Sequence, residues 1–95
     1  MPRGRTKVER AIGRLIVVVQ REWTDAMGNP GVAVSEEVLH NCHALLVAAK
    51  HDRLEHEMQG RSVAEILGLS WVRLHPRVVP AVKELEAAIA EAPHA

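Results

Sequence analysis

Apolar residues recur at helical spacing through most of the chain. Val8, Ile12, Leu15, Ile16, Val19, Trp23 and Met27 fall on one side of a helix, and this stripe predicts a first long helix. The run Leu15–Val19 is rich in β-branched residues and would suit a strand if taken alone. The longer period outweighs it. Thr6 stands where a helix cap is needed, and Glu9 follows three residues later in the capping-box position. Gly28-Asn29-Pro30-Gly31 is a turn signature: Gly and Asn tolerate positive φ, and Pro30 cannot continue a helix. So short a connection predicts that the two long helices run antiparallel.

The second long stretch, Ser35 to Gln59, contains no proline or glycine. Ser35 can cap its start, with Val34 at the staple position, and Gly60 can close its end. It predicts one helix of about 37 Å. Val38, Cys42, Leu45, Leu46 and Ala49 share one side, whereas Leu54 and Met58 lie roughly opposite. The apolar stripe therefore shifts near Lys50 to Asp52, which marks a change of partner, a bend or a break.

Ser62 and Glu65 form a second capping-box pattern, followed by apolar Val63, Ile66, Leu67 and Leu69, with Gly68 as a stop. Ser70 to His75 has no clear period and reads as a further turn or an extended link anchored by Trp71. Pro76 and Pro80 mark the start of the last helix. There Val78, Val82, Leu85, Ile89 and Ala92 form one stripe, with Ala81 and Ala88 beside it. The expected architecture is all-α: one domain over residues 1–95, a small four-helix bundle-like fold. It comprises two long antiparallel helices, one short helix and a C-terminal helix. Residues 1–5 are expected to be a flexible basic arm and residues 93–95 a frayed tail.

Composition sharpens this picture. The chain has no Phe and no Tyr, so the core must be aliphatic apart from Trp23 and Trp71. Ninety-five residues support one core of modest stability, and oligomerisation would strengthen it. The formal net charge is zero, which removes any general pull toward nucleic acid or anionic membrane. Charge is nonetheless uneven: Arg3, Arg5, Lys7, Arg10 and Arg14 face Glu9 alone in the first fourteen residues. A single cysteine, Cys42, excludes an internal disulfide. The longest strongly apolar run, Leu15–Val19, is too short for a membrane span or a signal peptide. The expectation is a cytoplasmic protein that does not enter the membrane.

Three constellations could carry function. Glu36, His40 and His43 recur at i, i+4 and i+7 and share a helix face, a start toward a zinc, iron or manganese site. Glu37-Val38-Leu39-His40 also has the Glu-x-x-His spacing of carboxylate-bridged bundles, but no second copy exists in the chain. A solvated helix face is the favoured reading. Cys42 lies in the core stripe and reads as a small apolar filler rather than a nucleophile. No Ser-His-Asp pattern, phosphate-cradling glycine loop or paired catalytic carboxylates can be assembled, so neither an enzyme nor a cofactor is expected.

The second constellation concerns DNA. Pro2-Arg3-Gly4-Arg5 resembles the core of minor-groove AT-hook tails, except that Thr6 stands where a proline is usual. Ser62 to Ser70 resembles the first helix and turn of a helix-turn-helix, with Ala64 as the small residue and Gly68 as the turn glycine. That resemblance implies a recognition helix through Trp71 to Val78, carrying Arg73 and Arg77 but interrupted by Pro76. The third constellation is assembly. Val17 falls among Arg10, Arg14 and Arg21, away from the first stripe, and the central stripe shifts sides. Val17, Trp23, Leu54 and Met58 are the candidate interface residues. The leading expectation is a small non-enzymatic binding or regulatory protein, acting through protein–protein contacts as a homodimer. A DNA-binding regulator comes second, and a histidine-based metal or pH sensor third.

Overall fold

Capping and turn chemistry divide the chain into six α-helices and one 3-10 turn in the computed structural model, which describes residues 6–91. They are α1 (Lys7–Asp25), α2 (Val32–Lys50), α3 (Leu54–Met58), α4 (Val63–Leu67), α5 (Leu69–Leu74) and α6 (Val79–Glu91), with the 3-10 turn at Pro76–Val78 before α6. Among the described residues there is no β-strand. The all-α expectation holds, and the two long helices pack against each other. The basic arm, residues 1–5, and the tail, residues 92–95, lie outside the described residues.

α1 begins where its sequence signals place it. The Thr6 hydroxyl accepts the Glu9 backbone N–H at 3.1 Å, satisfying a donor that the helix cannot. One face of α1 supplies Ile12, Leu15 and Val19, each with no exposed surface. Met27, included in the stripe by spacing alone, falls beyond the helix end and is exposed.

α2 departs from its expected start. It begins at Val32 with Gly31 as its cap residue, and the Ser35 N–H already bonds to the Gly31 carbonyl at 3.3 Å. Ser35 is therefore not a cap, and Val34 is half-exposed rather than a staple. The physical reason is tertiary. The Ser35 hydroxyl turns inward and accepts the indole N–H of Trp71 at 3.0 Å, a buried bond across 36 residues of chain. Ser35 is polar because it serves a tryptophan, not because it opens a helix.

The expected helix over Ser35–Gln59 is broken where its apolar stripe shifts, the break being one of the three readings of that shift. Asp52 adopts the left-handed conformation at φ 57°, the Arg53 N–H reaches back to the Ala48 carbonyl at 2.8 Å, and the Asp52 N–H reaches Ala49 at 3.3 Å. These two reversed bonds are a Schellman termination, in which the left-handed position is usually glycine. An L-residue there costs roughly 1 kcal/mol, which Asp tolerates better than most. Asp52→Gly is accordingly expected to raise unfolding free energy by about 0.5–1 kcal/mol, and Asp52→Ala to lower it by a similar amount. Urea unfolding followed by circular dichroism measures both.

The chain then doubles back. Glu57 of α3 and Arg61 line a cleft of about 100 Å³ with Asn41, Ala44, Leu45 and Ile66. Arg61 caps the carbonyls of Met58 and Glu57 through its guanidinium. No residue of α3 is fully buried; Leu54 and Met58 pack half-buried against the core. α4 opens with the complete capping box expected at Ser62 and Glu65. The Ser62 N–H and hydroxyl hold the Glu65 carboxyl below the usual carboxylate range. Gly68 stops α4 at φ 104°, as anticipated, and the next stretch is α5, the further turn of the two readings rather than the extended link. Trp71 anchors it, 5% exposed. Val78 of the 3-10 turn and Ala81, Val82, Leu85 and Ala88 of α6 are buried, as their spacing predicts, and Ile89 is half-buried.

Candidate interaction surface

The outer face of α1 is built by the same period that builds its core face. Val17, Gln20, Arg21 and Thr24 recur at i, i+3, i+4 and i+7, so they stack along one side of the helix. Together with Asp25 and with Arg77 from the 3-10 turn, they line an open groove of about 410 Å³. Val17 is 50% exposed and is the only fully apolar residue of that lining. Arg77 leans toward Asp25 with 3.8 Å between Nη1 and the carboxylate, a solvated pair that contributes little to stability. The groove thus has one apolar residue, two guanidiniums and one carboxylate.

Farther along, α1 is tied to α6 by two ion pairs, Lys7 with Glu91 and Arg14 with Glu84. The basic character of α1 is thereby partly neutralised by the acidic side of α6. The remaining expected interface residues are dispersed. Trp23 is half-buried, and Leu54 and Met58 sit on α3, so these residues do not form one patch with Val17. Val47, on the outside of α2, is 56% exposed and was not singled out by the sequence reading. The signal was available: Val47 falls on the same helical side as Leu54 and Met58 when α2 and α3 are read as one helix.

The histidine constellation stays on the surface. Glu36, His40 and His43 are all exposed on α2, and among the described residues no group of three or more His, Cys, Asp or Glu side chains is placed to hold a metal ion. Cys42 is fully buried, and burial pushes its thiol up to about 12, the opposite of what a nucleophile requires.

The helix-turn-helix resemblance does not extend into the structure. α4 and α5 have five and six residues and are joined by Gly68 alone, and α5 points Trp71 into the core. Arg73 and Arg77 are exposed but lie on different elements, one on α5 and one on the 3-10 turn. Arg3 and Arg5 lie outside the described residues. Among the described residues no helix is long and apolar enough to cross a membrane. Comparison with protein-family models, with curated proteins and with solved structures finds none that matches the chain.

Proposed function

We propose that this chain is a small non-enzymatic binding or regulatory protein that works through protein–protein contacts as a homodimer in the cytoplasm. The observation that supports this most is the α1 groove, where half-exposed Val17 sits among Arg21, Arg77 and Asp25 on a helix whose other side is fully committed to the core. An apolar anchor ringed by charge is a common arrangement at the centre of protein contacts, with the charges setting orientation more than affinity. Val17→Glu tests it without touching the core. The wild type is expected to be dimeric by native mass spectrometry, and the variant to dissociate at least tenfold more readily. A variant that keeps the wild-type mass at all concentrations removes α1 from the interface. A wild type that is monomeric throughout removes the homodimer.

A further inference from the structure

We propose that two copies of the chain exchange their C-terminal halves: α2 and α3 join into one straight helix through His51–Arg53, and α4 to α6 dock on the second copy as they dock here on their own. This rests on the homodimer reading, but it holds the second copy through the exchanged halves and not through Val17, so it stands apart from the outcome of Val17→Glu. The hinge is the first support. The break between α2 and α3 depends on a left-handed aspartate, in a stretch of 25 residues, Ser35 to Gln59, that contains no glycine or proline. Straightening it removes that conformation and converts the Schellman bonds at Ala48 and Ala49 into ordinary helical ones. α3 gives up only the half-buried contacts of Leu54 and Met58 with the core, since none of its residues is fully buried.

The second support is the face that straightening creates. Val47, Leu54 and Met58 then stand at i, i+7 and i+11, one apolar stripe roughly opposite the buried stripe of α2. Val47 is exposed as the chain stands, so the stripe begins on surface that is already uncovered. A second copy laid antiparallel about a two-fold axis near Asp52 and Arg53 sets Val47 against the partner's Met58, and Met58 against the partner's Val47. The flanking charges match in that register. Lys50 comes beside the partner's Glu57 on one flank, and His51 beside the partner's Glu55 on the other. A two-fold axis makes each of these contacts twice.

Chain continuity is the third support, and it was not used to choose the register. With Met58 of one copy alongside Val47 of the other, the link at residues 59–62 carries α4 to the level of Asn41 and Leu45. That is where α4 packs in the single chain: the Asn41 side-chain amide donates to the Ile66 carbonyl at 3.4 Å. The exchanged halves therefore arrive at the level of their own docking positions along the second copy, with residues 59–62 passing round its helix to the buried side. Arg77 travels with them, so the Val17 groove becomes a composite of two chains.

The ion pair between Lys7 and Glu91 provides the test, because it bridges the two halves and its side chains are largely exposed. Lys7→Cys and Glu91→Cys are combined and joined with a short bismaleimide at low protein concentration, Cys42 being shielded by burial. The isolated dimer is expected to run as a covalent dimer on a denaturing gel, because the bridge links two chains. Asp52→Ala is expected to raise the dimer association constant about tenfold, since two strained hinges are relieved per dimer, and Asp52→Gly to lower it. A dimer by native mass spectrometry whose cross-links are all within one chain overturns the exchange and leaves the homodimer standing. A chain that stays monomeric, Asp52→Ala included, overturns both.

Discussion

Trp71→Ala is expected to lower the unfolding free energy by about 3–5 kcal/mol, a large share of what a domain of this size possesses. The chain has only two aromatic side chains, and Trp71 is the buried one. Its ring carries several contacts at once. The indole N–H donates to Ser35 on α2, and the His75 ring, positioned by its Nδ1 donating to the Trp71 backbone carbonyl at 2.8 Å, stacks on the indole with 4.2 Å between centroids. Removing the ring leaves a cavity among aliphatic neighbours that cannot fill it, and it strands the Ser35 hydroxyl. Trp71→Phe separates the two effects. Most of the volume is kept, so the loss should fall to about 1–3 kcal/mol, the range for an unsatisfied buried polar group. Combined with Ser35→Ala, the phenylalanine variant should lose less than the sum of the single changes, because Trp71→Phe alone orphans the Ser35 hydroxyl and Ser35→Ala alone orphans the indole N–H. Urea unfolding of the four proteins gives the cycle. A loss below about 1 kcal/mol for Trp71→Ala would mean that α5 does not depend on its anchor.

The second large effect is alkaline. The Cys42 thiol is buried without exposure, and its ionisation is displaced from 9.0 to about 12 by burial alone. A raised pKa in the fold means that the folded chain holds its proton where the unfolded chain releases it. Stability from this group is fully present below about pH 9 and is lost as pH rises toward 12. The slope is about 1.4 kcal/mol per pH unit, so the whole window corresponds to about 4 kcal/mol. Cys42→Ala should unfold slightly more easily at pH 7 because it leaves a small void, yet it should outlast the wild type near pH 11. Other groups titrate in that range in both proteins, so the difference between the two curves isolates the thiol. Parallel curves for wild type and variant would show that the thiolate is accommodated in the fold.

Local signals were legible wherever a residue's role is decided within one turn. Thr6 caps α1, Ser62 and Glu65 close a capping box, and Gly68 stops α4, all from chemistry that spans three or four residues. The core faces of α1 and α6 were equally readable, because a long amphipathic period records which side is buried. The misreadings at Ser35 and Asp52 share one cause. Ser35 has the identity of a cap and the position of a core residue, and nothing in its neighbourhood reveals that Trp71 lies above it. Asp52 looks like a surface residue in a continuous helix, and only the shift of the apolar stripe hinted that the helix divides there. Ser70 to His75 lacks a period because α5, six residues long, is too short to display one.

The candidate surface was half legible. Val17 stood out as a valine on the wrong side of its helix. The groove could not be read, because its second wall is Arg77, more than fifty residues later in the chain. Val47 was missed because its helical face acquires meaning only with Leu54 and Met58. The histidines show the converse. Glu36, His40 and His43 share a helix face by period, but a metal site needs ligands converging from several elements, and none comes to meet them among the described residues.

The sequence by itself determined that this chain is helical, where α1 and α4 start and stop, and which sides of the long helices are buried. Those properties follow from capping chemistry and from a 3.6-residue period, and both act over a turn or two of backbone. Only the tertiary structure decided that the central helix breaks at Asp52, that Ser35 serves Trp71, and that Val17 shares a groove with Arg77. Each of these depends on residues brought together from distant parts of the chain, where the free energy of burying and pairing a side chain exceeds the fraction of a kilocalorie that local preference supplies.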